Sequence, residues 1–306
     1  MSAMPHHTLP AVQARDLFDA CATGGAGPRD GYGAYWDRCR AIASGRAGAP
    51  LRRWLEPVRA YGLGLLSGVR LDEPLPATPH ERGAGPSLPV ADTVIGAVAA
   101  SLGVLFTIDG KADPRHVHDV YFIPEDAATQ LGTGCSRLEW HVEDGCHPTR
   151  PDWVILLCLR GGPDVVTSVA RCADMRFSRQ ERELLEGTPV RLRLDDSFQG
   201  AGDQEFGVPT LSTTRQGLEI IYDPAYTVRD AMTDRIVSLV SREAAEVRHD
   251  VVLRAGDVLV FNNRRAIHAR TGFDPSQGSG DRWVKRALVL ADPARARWRS
   301  PGVVHA

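Results

Sequence analysis

Apolar residues recur at helical spacing through the first third of the chain. Three segments place them along one side of a helix, which predicts amphipathic helices at 9–22, 35–44 and 51–66. Residues 94–106 are apolar at nearly every position and rich in alanine, which predicts a buried helix rather than a strand. Five prolines at 71–89 indicate a loop before this helix.

From residue 117 onward the pattern changes to short runs of β-branched and aromatic residues. Most of these runs are bounded by Gly, Pro, Asp or Asn, as the short strands of a sandwich or barrel are. They predict strands at 117–123, 136–142, 153–159, 165–170, 190–194, 218–222, 249–253, 258–262 and 282–290. Helical spacing returns at 178–186, where Ser178 and Glu181 form a capping-box pattern, and at 233–247.

The two patterns together predict one domain that spans residues 1–306. A largely helical part covers about 1–110, and a β-rich core covers about 115–295, with a helical insert near 225–248. The residues alone therefore predict a fold that is mainly β with flanking helices.

Charge and composition exclude several classes of partner. The 36 basic and 38 acidic side chains nearly cancel, so no global basic field attracts nucleic acid or an anionic membrane. No apolar run approaches the ~20 residues that span a bilayer, and residues 1–10 lack the apolar core of a signal peptide. The six cysteines form no CxxC pair and are interpreted as reduced, small buried side chains. We expect a cytoplasmic protein with neither a nucleic-acid nor a membrane partner.

Two residues of segment 138–145 suggest metal chemistry. His141 and Glu143 are two positions apart, so on a strand both side chains project from the same face. An imidazole beside a carboxylate can supply two ligands of the facial triad found in non-haem Fe(II) oxygenases. Such pairs also occur by chance, and a solvated pair at a strand end remains an alternative.

A third ligand and an anion-binding group follow downstream. His268 comes after the hydrophobic strand predicted at 258–262, at the end of a polar stretch. Arg282 lies fourteen residues further on, and its planar guanidinium suits a dicarboxylate cosubstrate. Arg286 shares its strand face. The alternatives are a loop histidine bonded to backbone and arginines in surface ion pairs.

Taken together, these residues resemble a known family. The segments HVEDGCHP at 141–148, PDWVILLCLR at 151–160 and GDRWVKR at 280–286, with His268 after Asn-Asn-Arg, resemble the clavaminate synthase-like Fe(II)/2-oxoglutarate oxygenases. That family includes clavaminate synthase and the β-hydroxylases of free L-arginine and L-asparagine. The resemblance covers about residues 90–295.

The resemblance implies a double-stranded β-helix, a cupin-like jelly roll, with a helical N-terminal cover. It implies that His141, Glu143 and His268 bind Fe(II) and that Arg282 binds the distal carboxylate of 2-oxoglutarate. Thr167 is the candidate hydroxyl for the same carboxylate. O2 would be the oxidant of an unactivated C–H bond, giving hydroxylation, with desaturation or cyclisation as further outcomes. The expected setting is specialised-metabolite biosynthesis, including antibiotic biosynthesis.

Substrate residues match the family less well than metal residues. The resemblance implies that Arg286 binds either 2-oxoglutarate or the carboxylate of an amino-acid substrate. His118 stands where relatives have Gln before Asp-Val, and Asp223 is the one acid retained from an acidic stretch that grips the substrate. Paired acids suited to a guanidinium are not evident, and Asp223 alternatively forms a turn before Pro224. An unusual amino acid, modified or tethered to a carrier protein, is at least as expected as arginine or asparagine.

Three other functions use the same residues. A zinc hydrolase would use the same three ligands but gives Arg282 no role. A jelly roll that binds a small metabolite without turnover predicts no 2-oxoglutarate-dependent CO2 release. An inactive jelly roll would be expected to lack a ligand, and all three are present.

Overall fold

The computed structural model describes residues 3–162, 164–198, 204–275 and 281–305. Within these ranges the helices are α1 (Ala11–Ala22), α2 (Tyr32–Ser44), α3 (Ala49–Tyr61), α4 (Pro89–Leu102), α5 (Arg179–Gly187) and α6 (Ala231–Val247). The strands are β1 (His6–Thr8), β2 (Leu63–Ser67), β3 (Val104–Ile108), β4 (Val117–Tyr121), β5 (Leu138–His141), β6 (Trp153–Arg160), β7 (Val166–Arg171), β8 (Pro189–Arg193), β9 (Glu205–Pro209), β10 (Leu211–Thr214), β11 (Gly217–Ile220), β12 (His249–Val252), β13 (Val258–Asn262), β14 (Ala266–Arg270), β15 (Trp283–Leu290), β16 (Trp298–Ser300) and β17 (Val303–Val304). Among the described residues, no helix combines the length and apolar character needed to cross a membrane.

The larger sheet has nine strands and is organised around β15. Its order is β1-β2-β13-β6-β15-β3-β17-β16, and β4 also pairs with β15. Strand β6 runs antiparallel along one edge of β15. On the other edge, β4 pairs with residues 283–287 and β3 pairs with residues 288–290. Every residue of β15 is thus held by neighbours, which fixes the direction of each of its side chains.

A second sheet faces the first and completes a jelly roll. Its order is β12-β7-β14-β5, and all of its pairings are antiparallel. The interior between the sheets is apolar, with Val169 and Ala266 from the second sheet packed among Val284 and Leu288 from the first. Since side chains alternate along a strand, the even-numbered residues of β14 and β15 face this interior. The predicted fold class, mainly β with a jelly-roll core and flanking helices, is confirmed.

Helices cover the outer face of each sheet. Helices α1 to α4 pack against the larger sheet in a cluster that includes Trp54, Val94 and Trp283. Helices α5 and α6 cover the second sheet, with Val240 of α6 in the same cluster as Ile267 of β14. The helical insert predicted near 225–248 is α6, and the capping box predicted at Ser178 opens α5. That the whole chain folds as one domain stays a prediction.

Two predicted helices are wrong at their C-terminal ends. The segments predicted as helices at 51–66 and 94–106 each contain a helix followed by a strand of the larger sheet, β2 and β3. Helix α3 ends at Gly62, whose φ of 86° is in the left-handed region that glycine adopts without strain. The residues after it are buried by the sheet, so tertiary packing outweighs their helical spacing. The N-terminal part therefore contributes strands as well as a cover.

Candidate active site

The two predicted histidine ligands are neighbours across the second sheet. His141 ends β5 and lies directly opposite His268 of β14, and the centres of their rings are 4.0 Å apart. Glu143 lies two residues beyond His141, with Oε1 3.5 Å from Nε2 of His268. One ligand atom from each of the three residues lies within 4.8 Å of the other two. The structure thus brings together three residues chosen from the sequence.

The chemistry of these side chains fits a divalent metal. Nδ1 of His141 lies 2.8 Å from the carbonyl oxygen of Glu139, which can only accept, so Nδ1 holds the proton and Nε2 keeps its lone pair for a metal. Burial, followed by the charge of His268, lowers the pKa of His141 to about 3, which keeps the ring neutral. Two imidazole nitrogens and one carboxylate are the donor set of a facial triad with open positions.

Glu143 is held at both its backbone and its carboxylate. Its backbone N–H donates to Oδ1 of Asn263, and Nδ2 of Asn263 donates to its carbonyl oxygen, each at 2.9 Å. Nη1 of Arg286 lies 2.9 and 2.7 Å from the two carboxylate oxygens. Burial raises the pKa of Glu143, but Arg286 and then His268 outweigh burial and hold this pKa well below its ordinary value. The carboxylate is therefore ionised at neutral pH, as a metal ligand must be.

Arg282 is a buried cation with no anionic partner among the residues that the structure describes. It is 9% exposed, and among the described residues no carboxylate forms an ion pair with its guanidinium. It interacts electrostatically with Cys158, an interior residue, and burial lowers its pKa. Thr167 is also buried and lies on the interior face of β7, opposite Arg270. A buried guanidinium is costly unless an anion pairs with it, so this region suits the carboxylate of a ligand.

An open cavity leads to the metal ligands His141 and Glu143. His141, Glu143 and Arg286 line it, together with the predicted substrate residues His118 and Asp223. The cavity therefore joins the ligand cluster to every residue that the sequence suggested for substrate binding. Arg282 and Thr167 are not among the residues that line it.

His118 is buried and neutral. It pairs across the sheet with Arg286, and its Nε2 donates to the carbonyl oxygen of Asp113 at 3.1 Å. Burial, followed by the positive charge of Arg286, lowers the pKa of His118 to about 3. A neutral imidazole whose Nε2 holds the proton presents Nδ1 as an acceptor.

Asp223 lies close to a second acid, Asp195, and both line the cavity. Burial, followed by the negative charge of Asp195, raises the pKa of Asp223 well above its ordinary value. Oδ1 of Asp223 also accepts the backbone N–H of Ala225 at 3.2 Å, so the residue shapes its own turn as well. The second acid, which was not evident in the sequence, comes from a segment 28 residues earlier in the chain.

Comparison with known proteins places this site in a family. Residues 86–288 match the model described as "Taurine catabolism dioxygenase TauD, TfdA family". The chain belongs to the TauD/TfdA family. Its similarity to L-asparagine oxygenase of Streptomyces coelicolor is 31% identity over 237 residues, which covers 70% of each chain. Its similarity to enduracididine beta-hydroxylase of Streptomyces hygroscopicus is 26% identity over 269 residues, which covers 79% of this chain and 76% of that protein.

A solved structure extends the likeness to nearly the whole chain. The crystal structure of asparagine oxygenase in complex with Fe(II), 2S,3S-3-hydroxyasparagine and succinate matches with a TM-score of 0.89 and 26% identity, over 99% of both chains. Succinate is what 2-oxoglutarate becomes when it is oxidatively decarboxylated. This TauD/TfdA-family member is an Fe(II)/2-oxoglutarate-dependent dioxygenase, as predicted from the sequence. The zinc-hydrolase and non-catalytic alternatives are not favoured.

The dioxygenase site includes residues that sequence analysis did not single out. Asn263, which holds the backbone of Glu143, lies in the Asn-Asn-Arg segment of the family resemblance, but no role was predicted for it, and the structure shows that it is completely buried. Asp195 lies 28 residues before Asp223 in an ordinary acidic pair, Asp195-Asp196. Neither residue has a spacing that connects it to the metal ligands, so only the folded chain identifies them.

Proposed function

We propose that this dioxygenase hydroxylates an unactivated C–H bond of a small amino acid or amino-acid derivative, in specialised-metabolite biosynthesis. The observation that supports it most directly is the cluster of His141, Glu143 and His268, of which His141 and Glu143 line a polar cavity. In this proposal these three residues bind Fe(II). Arg282 and Thr167 bind the distal carboxylate of 2-oxoglutarate.

The bound iron and cosubstrate supply the oxidising power that breaks the C–H bond. The chain's own residues determine position and charge. Asn263 fixes the backbone of Glu143 and so the direction of its carboxylate. The ring of Phe261, centred 4.6 Å from that of His268, restricts the rotation of this ligand and adds apolar surface beside it.

The charges around the cavity suit a zwitterion. Arg286 offers a guanidinium for a carboxylate, and the acids Asp195 and Asp223 lie where an ammonium or guanidinium group could bind. A positive charge beside them would favour the ionised form of Asp223, against the burial and the Asp195 charge that raise its pKa. The related enzymes are named for asparagine and for enduracididine, which supports an amino acid as the substrate. We propose the free amino acid, because a substrate tethered through its carboxyl group to a carrier protein has no carboxylate for Arg286.

The metal and cosubstrate are tested first. Fe(II) and 2-oxoglutarate are titrated into the protein without oxygen while the weak visible charge-transfer band of the chelate is followed. We expect the band in the wild type and its loss in His268→Ala, which removes one ligand. Absence of the band in wild-type protein that is folded by circular dichroism would refute the proposal.

The substrate is tested by succinate release across a panel of free amino acids. The panel contains asparagine, arginine and enduracididine, each with its carboxyl-amidated form. We expect turnover above the basal rate for a free amino acid and its loss on amidation. In Asp223→Asn, the KM of a cationic substrate should rise by about tenfold or more, since a hydrogen bond between charged groups contributes about 1.5–3 kcal/mol. Equal turnover of free and amidated forms would contradict the role of Arg286.

A further inference from the structure

Arg270 joins the interior of the barrel to a loop over the cavity. It lies on the same face of β14 as His268, two residues further on, and is 5% exposed. Nη1 donates to the carbonyl oxygen of Gly132 at 2.9 Å, and Nη2 donates to those of Gly134 and Ser136 at 2.8 Å each. A single side chain thus binds the carbonyl groups of every second residue from 132 to 136 in one loop.

The loop that Arg270 holds forms part of the cavity wall. Gln130, Leu131, Gly132 and Thr133 line the cavity beside His141 and Glu143. The loop is closed on itself, because the N–H groups of Cys135 and Ser136 both donate to the carbonyl oxygen of Ala127. Its carbonyls at 132, 134 and 136 would otherwise need other donors, so the position of the loop depends on Arg270.

The remaining donor of Arg270 points to a ligand. Its Nε is buried and has no hydrogen-bond partner among the described residues. Arg270 lies opposite Thr167 across the second sheet, and the positive charge of Arg282 is, after burial, the main influence lowering its pKa, to about 9. Arg270 thus lies opposite a buried hydroxyl and close enough to a second buried guanidinium to feel its charge, and among the described residues neither guanidinium forms an ion pair with a carboxylate, which favours an anion at this place.

We propose that Arg270 is a second guanidinium for the distal carboxylate of 2-oxoglutarate and transmits the presence of this cosubstrate to the loop at 130–136. Nε–H donates to the carboxylate, while the two terminal nitrogens keep hold of the loop carbonyls. The cosubstrate therefore orders one wall of the substrate cavity before the substrate arrives. This inference rests on the proposed function, because it requires 2-oxoglutarate beside Arg282.

The proposed link can be measured as the effect of 2-oxoglutarate on hydrogen exchange in the loop. If 2-oxoglutarate stabilises the loop, the amides of Gly134, Cys135 and Ser136 should exchange hydrogen more slowly when it is bound. These amides are informative because each donates to a carbonyl within residues 127–131 and exchanges only when the loop opens. The measurement uses Fe(II)-loaded enzyme without oxygen, with and without 2-oxoglutarate, and compares peptides that cover residues 127–137. No substrate is needed.

Two variants separate the link from general loosening of the loop. Arg270→Lys keeps the positive charge but removes the guanidinium, whose several N–H groups bind the loop and the carboxylate at once. The chelate band should survive, and the affinity for 2-oxoglutarate should fall about tenfold, which is the effect of losing one charged hydrogen bond. Exchange at 134–136 should then no longer respond to 2-oxoglutarate.

The matched control is Arg82→Gln. Arg82 binds both oxygens of Asp126 at 2.8 and 2.6 Å, which anchors the same loop from its other side. Its loss should speed exchange while the slowing by 2-oxoglutarate persists.

The outcomes distinguish this inference from the proposed function. A wild-type chelate band without any slowing at 134–136 overturns the inference and leaves the function intact, whatever the variants do. Slowing in Arg270→Lys equal to that in the wild type also overturns it, because the link would then run through other residues. Absence of the band in the wild type refutes the proposed function itself.

Discussion

The two faces of β15 hold positive charge in opposite ways. On the outer face, Nζ of Lys285 lies 2.7 Å from the carboxylate of Asp92 in α4 and 2.9 Å from that of Asp119 in β4. On the interior side, Arg282 has no carboxylate partner within the described chain, and Arg286 pairs with a candidate metal ligand, Glu143. All of these cations are at least largely buried, so burial alone does not distinguish a structural charge from a functional one. The partner does.

The outer ion pairs fasten the helical layer to the sheet. Lys285 is 1% exposed, and Nε1 of Trp283 also donates to Asp119 at 2.9 Å. Burial lowers the pKa of Lys285, but Asp92 and Asp119 outweigh burial and raise this pKa above its ordinary value. The lysine therefore remains charged at every pH at which the protein is handled. Its partners come from the same chain, so its contribution should appear in stability and not depend on a ligand.

The largest expected effect comes from breaking the outer cluster. Lys285→Met removes the ion-pair partner that the buried Asp92 has among the described residues, and loss of one partner of a buried ion pair costs about 3–5 kcal/mol. We expect a fall of that size in the free energy of unfolding, measured with denaturant. Adding Asp92→Asn should recover part of the loss, because the unpaired charge is removed with its partner. A variant as stable as the wild type would show that Lys285 is not structural.

Removing a cation from the interior face should weaken ligand binding and leave the stability of the protein intact, the reverse of the effect expected on the outer face. Arg282→Met removes a buried cation that has no carboxylate partner in the described part of the chain, so stability without ligand should be unchanged or higher. Affinity for 2-oxoglutarate should fall by about 100-fold or more, near 3 kcal/mol, because a buried charged pair can no longer form. The measurements are denaturant unfolding and the anaerobic chelate titration, with Arg282→Lys as the variant that keeps the charge. Destabilisation like that of Lys285→Met, with 2-oxoglutarate affinity intact, would reverse the comparison.

Sequence analysis found the residues whose spacing is imposed by the fold. His141 and Glu143 are two apart because both must project from one end of a strand, and His268 follows a strand whose first four residues are apolar. The sequence did not reveal Asp195, Asn263 or Arg270, since these meet the site only through strand pairing and loop closure. No local pattern records such contacts.

The same limit explains the error at the N-terminal helices. The helical spacing after residue 51 continues past Gly62, although the chain there enters the larger sheet as β2. Strand β2 pairs with β13, nearly two hundred residues away, so its conformation depends on a partner that no local window contains. Capping at Ser178, by contrast, uses groups three residues apart and was predicted correctly.

The smallest effect concerns His118, which burial, followed by the positive charge of Arg286 on the neighbouring strand, keeps neutral on the interior side of the sheet. The pKa of His118 is about 3 in the folded protein, against about 6.5 when unfolded, so between these values the unfolded chain binds the extra proton. Stability must therefore decrease as pH falls through this window, by up to about 1.4 kcal/mol per pH unit from this group.

His118→Gln should reduce the slope of the unfolding free energy against pH between pH 6 and pH 4, by the amount that corresponds to about one proton. Denaturant unfolding at several pH values measures this slope. The exposed His7→Gln is the control and should leave the slope unchanged. Some slope will remain in His118→Gln, because burial also lowers the pKa of His116, to about 4. Equal slopes in His118→Gln and the wild type would mean that the interior face does not hold His118 neutral. The carboxylate of Glu143 would then neutralise Arg286 so fully that Arg286 has no effect on the pKa of His118. The charge on the interior face of β15 would in that case be as well paired as the charge on the outer face.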